Sequence, residues 1–265
     1  MRIARYTVDD TIHYGVVELE VDQASNPETV SDLTGDPFSG PVKLSGVRHN
    51  LADVRLLAPV IPRSKVIGLT RTCASAQAPG GAPDSLPGVF LKPNTSVIGP
   101  GEPIQIPQLS SQTAAEAELA IVIGRICRCV PAERVPEVVF GYTCANDVTA
   151  EDHLTDGGPW GLAKCWDSFT PLGPWIVTHL SLEEVSSLTL SAQIGGQRLT
   201  SGSTKSLIMD VAGIVSFVSS IMTLLPGDVI LTGAPGGSTP IRAGQEVSVE
   251  IEEIGVLNNP VIGEA

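Results

Sequence analysis

The sequence predicts an α+β chain that is predominantly β, in which a small β-rich subdomain over residues 1–60 leads into a larger domain over residues 61–265. Three observations predict it. Short apolar or alternating runs recur along the chain, each bounded by glycine, proline or aspartate, which is the pattern of strands separated by turns. Only two stretches carry helical signals. A length of 265 residues suffices for one large domain with a small appendage.

Residues 3–8 and 12–19 read as strands, followed by a connection rich in turn residues at Gly35-Asp36-Pro37 and Ser39-Gly40-Pro41. His49, ahead of the run at 51–59, reads as a structural or surface histidine because no titratable group accompanies it. A short buried strand at 66–69 ends in Thr70-Arg71-Thr72-Cys73. The glycine- and proline-rich residues 78–84 cannot be regular and are expected as a loop beside a cleft, where a lid would lie. Residues 89–93 form a strand, 99–103 a turn and 114–124 a long strand. Residues 131–139 are a short helix started by Pro131 and limited by Pro136, and 140–146 return as a strand. Residues 164–174 are too interrupted by proline and glycine for regular structure and are expected as a fixed loop. Strands follow at 188–194 and 229–232. Between them Ile214, Phe217, Val218, Ile221 and Leu225 repeat at helical spacing, ended by Pro226-Gly227. Residues 246–254 alternate over most of their length.

Charge narrows the partners. With 29 acidic against 16 basic residues the net charge is -13, and no lysine or arginine run offers a local basic patch, which argues against nucleic acid and against an anionic membrane. The apolar stretch at 211–225 is interrupted by serines and too short to span a bilayer. Five cysteines in no disulfide-like framework fit a reducing compartment, and the N-terminus has no apolar signal segment, so a cytoplasmic protein is expected.

One stretch carries chemistry. On the strand at 114–124, period-two alternation sends Glu116 and Glu118 to the same face and Ala115, Ala117 and Leu119 to the other. Two converging carboxylates in a partly dry cleft repel unless a cation lies between them, and with Asp147 the donors are all oxygen. That set suits Mg²⁺, Mn²⁺ or Ca²⁺ rather than zinc. From spacing alone the commoner reading is a solvated strand face with two ordinary glutamates.

FLKPNTSVIGPGEPIQIP, the E-x-E-LAIVIG strand, FGYTCANDVTAED, AKCWDSFTPLGPWI and MTLLPGDVILTGAP, in that order from about residue 66 onward, resemble the fumarylacetoacetate hydrolase family. The resemblance implies a mixed β-roll of sandwich character, a homodimer, a divalent ion on Glu116, Glu118 and Asp147, and a catalytic lysine matched by Lys164. It implies substrates with a 2-oxo acid or 1,3-dicarbonyl group, whose enolate charge the ion and Lys164 would stabilise.

The chain departs from the family in the part that prepares water. Hydrolytic members carry N-Y-x-x-H-x-x-E after the strand that ends here at Leu69, and this chain has Thr70, Arg71, Ala74 and Gln77 there. Where T-A-R-D-x-Q is usual it has Thr149-Ala150-Glu151-Asp152-His153-Leu154, and a usual N-G-x-x-R-Q reads Gly195-Gly196-Gln197-Arg198-Leu199-Thr200. Arg71 is therefore expected either to pair with Glu151 across the mouth or to grip a substrate carboxylate. Thr70, Cys73, Leu154 and Tyr142 are further expected substrate contacts, with Cys73, Ala74 and Leu154 making the pocket apolar. His153 is the candidate replacement base, and Cys73 a weaker candidate nucleophile. The expected function is a non-hydrolytic step on an enolisable substrate: tautomerisation, decarboxylation, dehydration or retro-aldol cleavage, or cyclisation. A carbon-carbon bond hydrolase with a substitute base and a catalytically silent metal-binding protein are the alternatives.

Overall fold

The computed structural model describes residues 1–19, 28–73, 86–155 and 159–264. The expected lid at 78–84, together with Ala74 and Gln77, lies outside the described residues. Among those described the chain is mostly β, in a 14-stranded and a 5-stranded sheet. The main path of the large sheet runs through Leu44–Asn50, Thr29–Leu33, Thr11–Glu18, Arg2–Val8, Thr170–Val177, Val139–Asn146, Thr113–Ile123, Val229–Leu231, Val66–Thr70 and Gly88–Lys92. The smaller sheet orders Gln197–Ser203, Thr189–Ile194, Glu246–Ile251, Gly255–Gly263 and Ile104–Ile106. The N-terminal strands are thus continuous with the large sheet, joined where Arg2 and Ile3 pair with Val177 and Ile176.

The strand Thr113–Ile123 is the centre of this arrangement and is buried on both faces. Its odd positions Leu119, Ile121 and Ile123 pack with Tyr142, Val249, Ile251 and the helix residues Ile214, Val215 and Val218. Its even positions Ala120 and Val122 pack with Val66, Ala145, Leu172, Ile176, Val229 and Leu231. Glu116 and Glu118 share the even parity, so the glutamates lie on the face whose continuation is this second apolar cluster.

Three local expectations are corrected. Residues 164–174 are not a loop: helix Gly161–Lys164 is followed by the fully buried strand Thr170–Val177. That strand accommodates Pro174 because its register with Val139–Asn146 shifts between Tyr142 and Cys144, so the residue without an N–H falls at the irregularity. The helix Val211–Ile221, capped by Asp210 on the Gly213 amide, stops before Leu225. There Leu224 exchanges both backbone hydrogen bonds with Cys127 and is drawn out of the helix. His49 has titratable company: its Nε2 is 3.6 Å from Asp32 Oδ1, while His13 Nδ1 is 3.2 Å from Oδ2 and the Tyr6 hydroxyl donates to the same carboxylate. Sequence separations of 17 to 26 residues or more hid that cluster.

Candidate active site and metal cradle

The glutamate strand and the chain segment after Val139–Asn146 are tied together at the site. Ala117 pairs with Asn146, the Asp147 amide donates to Glu116 O at 2.9 Å, and the Asn146 side chain accepts from the Glu116 amide at 2.9 Å. Asp147 therefore arrives opposite Glu116 by β register. One carboxylate oxygen from each of Glu116, Glu118 and Asp147 lies within 4.8 Å of the other two.

Two lysines answer the three acids. Lys164, at the end of its helical turn and only 4 % exposed, donates to Asp147 Oδ2 at 2.6 Å, Thr149 Oγ1 at 2.5 Å and Glu116 Oε2 at 3.0 Å. Its Nζ also lies 5.0 Å from the Phe90 ring centroid. Burial alone would favour loss of its proton, but the charges of Asp147 and Glu116 outweigh that and raise its pKa above that of an ordinary lysine. Lys92 is fully buried, donates to Asp147 Oδ1 and reaches Val148 O at 3.1 Å. Its pKa is lowered by burial, with Asp147 opposing.

The carboxylates respond unequally. Burial followed by its acidic neighbours Asp147 and Glu116 pushes Glu118 well above the usual range, and burial also raises Glu116. Burial works in the same sense on Asp147, but its two lysines overcome it and hold that group below the usual range. Glu118 is anchored by the Gly233 amide, which donates to its Oε2 at 2.7 Å. Gly233 has φ +94°, and a Cβ there would stand 1.9 Å from Thr72 Oγ1, so glycine is required at this point of LTGAP. Three convergent all-oxygen ligands, two buried and Glu116 half-buried, with too little positive charge among them fit a hard divalent cation.

These groups open into a cavity of about 200 Å³, lined by the cradle together with Thr70, Arg71, Cys73, Phe90, Leu154 and Trp160 among others. A groove of about 420 Å³ adjoins it, sharing Thr70, Arg71, Phe90 and Trp160. The structure thus brings together Glu116, Glu118, Asp147, Lys164, Thr70, Arg71, Cys73 and Leu154. It does not bring Tyr142 or His153. Tyr142 pairs with Ile121 in the sheet and lies in the main core, because its parity on the strand is that of Cys144, another residue of that core. His153 sits in a short 3-10 turn outside the cavity lining, with Nε2 2.8 Å from Leu109 O.

The ion pair expected between Arg71 and Glu151 is also absent among the described residues. Glu151 accepts from Ser238 Oγ at 2.6 Å, and Arg71 Nη2 donates to Leu86 O at 3.2 Å. Burial raises the Cys73 thiol, which is the wrong direction for a nucleophile. Sequence reasoning missed Lys92, Thr149, Phe90, Trp160 and Ser238. The period-two spacing of Phe90 and Lys92 on one strand was the available signal for that pair.

Comparisons with known proteins agree with this architecture. The family described as "Fumarylacetoacetate (FAA) hydrolase C-terminal" matches residues 67–262, and "Rv2993c-like, N-terminal" matches residues 1–59. Protein Rv2993c of Mycobacterium tuberculosis is 43% identical over 263 residues, covering 99% of this chain and 98% of that protein. The crystal structure of a 5-carboxymethyl-2-hydroxymuconate delta-isomerase from Mycobacterium smegmatis superposes with a TM-score of 0.90 at 42% identity, covering 100% of both chains. A maleylpyruvate hydrolase from Sphingobium sp. SYK-6, in complex with manganese(II) ion and pyruvate, superposes with a TM-score of 0.79 at 27% identity, again over 100% of both. Among the described residues no helix is long and apolar enough to cross a membrane. The chain belongs to the fumarylacetoacetate hydrolase family.

Proposed function

We propose that this chain is a divalent-cation-dependent enzyme that binds an enolisable 2-oxo acid or 1,3-dicarbonyl compound and shifts a proton on it, with solvent water taking and returning the proton and no water added to the product. Isomerisation between keto and enol or double-bond forms is the step favoured among the non-hydrolytic possibilities. One observation carries the reading: the cradle of Glu116, Glu118, Asp147 and Lys164 is complete, while the described cavity lining holds no histidine and no carboxylate outside the cradle. The similarity to an isomerase over the full chain supports the same choice.

Glu116, Glu118 and Asp147 would hold the cation, which when bound supplies Lewis-acid polarisation of the substrate's oxo and acid oxygens. Against burial, Asp147 and Glu116 favour the protonated form of Lys164, whose three N–H bonds go to Asp147, Thr149 and Glu116, so its role is a fixed positive charge beside the oxygen that gains charge. Thr149 and Asp147 hold that ammonium in place. Phe90 and Trp160, with ring centroids 5.5 Å apart, form an apolar wall of the cavity. Arg71 faces both the cavity and the groove and is the contact proposed for a substrate carboxylate. Arg71→Lys keeps the charge and loses the fork, so KM is expected to rise about tenfold, on the scale of one charged hydrogen bond, with kcat nearly unchanged. Steady-state kinetics showing both constants at wild-type values would remove Arg71 from substrate binding.

The test of the function is proton exchange. An acylpyruvate incubated with the Mg²⁺-loaded protein in deuterated water is expected to lose its C3 proton signals faster than in the enzyme-free control, and a chelator is expected to abolish the gain. A hydrolytic reading is supported by the hydrolase among the similar structures. Incorporation of ¹⁸O from labelled water into a cleaved product, beyond ordinary carbonyl exchange, would establish that reading and overturn the isomerase.

A further inference from the structure

We propose that Lys92 determines which cation the cradle accepts, by occupying one oxygen of Asp147 so that the three carboxylates favour a small ion such as Mg²⁺ over Ca²⁺. The inference rests on the reading of this site as a divalent-cation cradle and adds a positioning residue to it. Each carboxylate already has an oxygen committed to a donor from the protein. Asp147 Oδ1 accepts from Lys92, Glu118 Oε2 from the Gly233 amide, and Glu116 Oε2 from Lys164. Glu116 Oε1 and Glu118 Oε1 remain, with the second lone pair of Asp147 Oδ2, whose other partner is Lys164. The protein therefore offers three single oxygens.

That offer suits one class of ion. Mg²⁺ takes six oxygens at short range and keeps several waters, whereas Ca²⁺ takes six to eight and draws on two-oxygen carboxylates. Of the three committed oxygens, Asp147 Oδ1 is the one held by a fully buried lysine. Lys92 has no exposed surface, its second hydrogen bond to Val148 O fixes the ammonium, and Val66–Thr70 pairs with its strand. Lys164 lines the cavity and Lys92 is not among its lining residues, so the contact with Lys92 turns Oδ1 away from the cavity and leaves Oδ2 toward it. A lysine that served only to balance charge would alter the affinity for every divalent ion alike. A lysine that holds the carboxylate to one oxygen alters the ratio between ions.

The experiment is a calorimetric titration of chelator-stripped protein with Mg²⁺ and with Ca²⁺, for the wild type and for Lys92→Met. The wild type is expected to bind Mg²⁺ at least as tightly as Ca²⁺. Lys92→Met is expected to move the ratio toward Ca²⁺ by about tenfold or more, reflecting the two-oxygen coordination that becomes accessible. An unchanged ratio, whatever happens to the individual affinities, would overturn the proposal. The wild type also decides independently of whether Lys92→Met folds. Mn²⁺ bound to it is expected to retain about three waters, counted by ¹⁷O broadening of its magnetic resonance lines, because about six sites less three single oxygens remain. One water or none would overturn the proposal. If neither Mg²⁺ nor Mn²⁺ binds the wild type at all, the cation-dependent function fails with it; if Mg²⁺ binds the wild type but less tightly than Ca²⁺, this inference alone fails.

Discussion

Glu118→Gln is expected to lower cation affinity by more than about 100-fold, since even the partners that merely orient metal ligands are worth about 10- to 100-fold. Turnover should fall with it. The substitution preserves shape, and the amide oxygen of glutamine can still accept from Gly233 as Glu118 Oε2 does at 2.7 Å. What it removes is a charge that is 1 % exposed and that burial, Asp147 and Glu116 all work against. The stability change therefore has the opposite sign to the affinity change. Without cation, the melting temperature of Glu118→Gln is expected to equal or exceed that of the wild type, because a disfavoured buried charge has gone. Calorimetric titration and thermal melts read the two effects separately. Undiminished cation affinity in this variant would rule out the cradle as the metal site.

Lys164→Met is expected to act on both properties in the same direction. Its ammonium compensates Asp147 and Glu116 at once, and breaking a buried pair by removing one partner costs about 3–5 kcal/mol. In chelated buffer the variant should melt well below the wild type. Saturating Mg²⁺ is expected to restore much of that loss, since a divalent charge can compensate the same oxygens. Turnover is not expected to recover. A fixed positive charge beside developing negative charge is expected to be worth about 10²–10³ in rate, on the scale of one oxyanion-stabilising group, and the cation does not replace it at that position. A variant that melts like the wild type in chelator, or that turns over normally with cation, would show that Lys164 has neither role.

The legible part of this site was the part encoded locally. Glu116 and Glu118 share a face because side chains alternate along any strand, and that required no knowledge of partners. Asp147 was legible only through the order of motifs, since its place opposite Glu116 depends on pairing across 31 positions of chain. Lys92 was legible only as a residue sharing a strand face with Phe90, not as a partner of Asp147. It ends a strand whose neighbouring Leu91 is half exposed, and a lysine there reads as a surface residue until Asp147, 55 positions later, is seen beside it. Tyr142 failed for the converse reason: a motif can carry core residues as well as site residues, and strand parity sends it to the core with Cys144. Two prolines hid the strand Thr170–Val177, because the irregularity that admits one of them is set by its partner strand.

The glutamate strand is hydrogen-bonded along one half to Thr149–Ala150 and Ser238–Pro240, and along the other to Val139–Asn146 and Val229–Leu231. Such a segment has no low-energy way to open locally, so its amide hydrogens should exchange with solvent only when the whole domain unfolds. Arg71 stands instead just past a strand end, at φ +58°, and among the described residues its side chain has one hydrogen bond, to Leu86 O. The two sides of the cavity thus belong to different tiers of local stability. The groups proposed to grip the cation draw on the free energy of the entire fold, and the residue proposed to meet the far end of the substrate is expected to be replaceable without drawing on it.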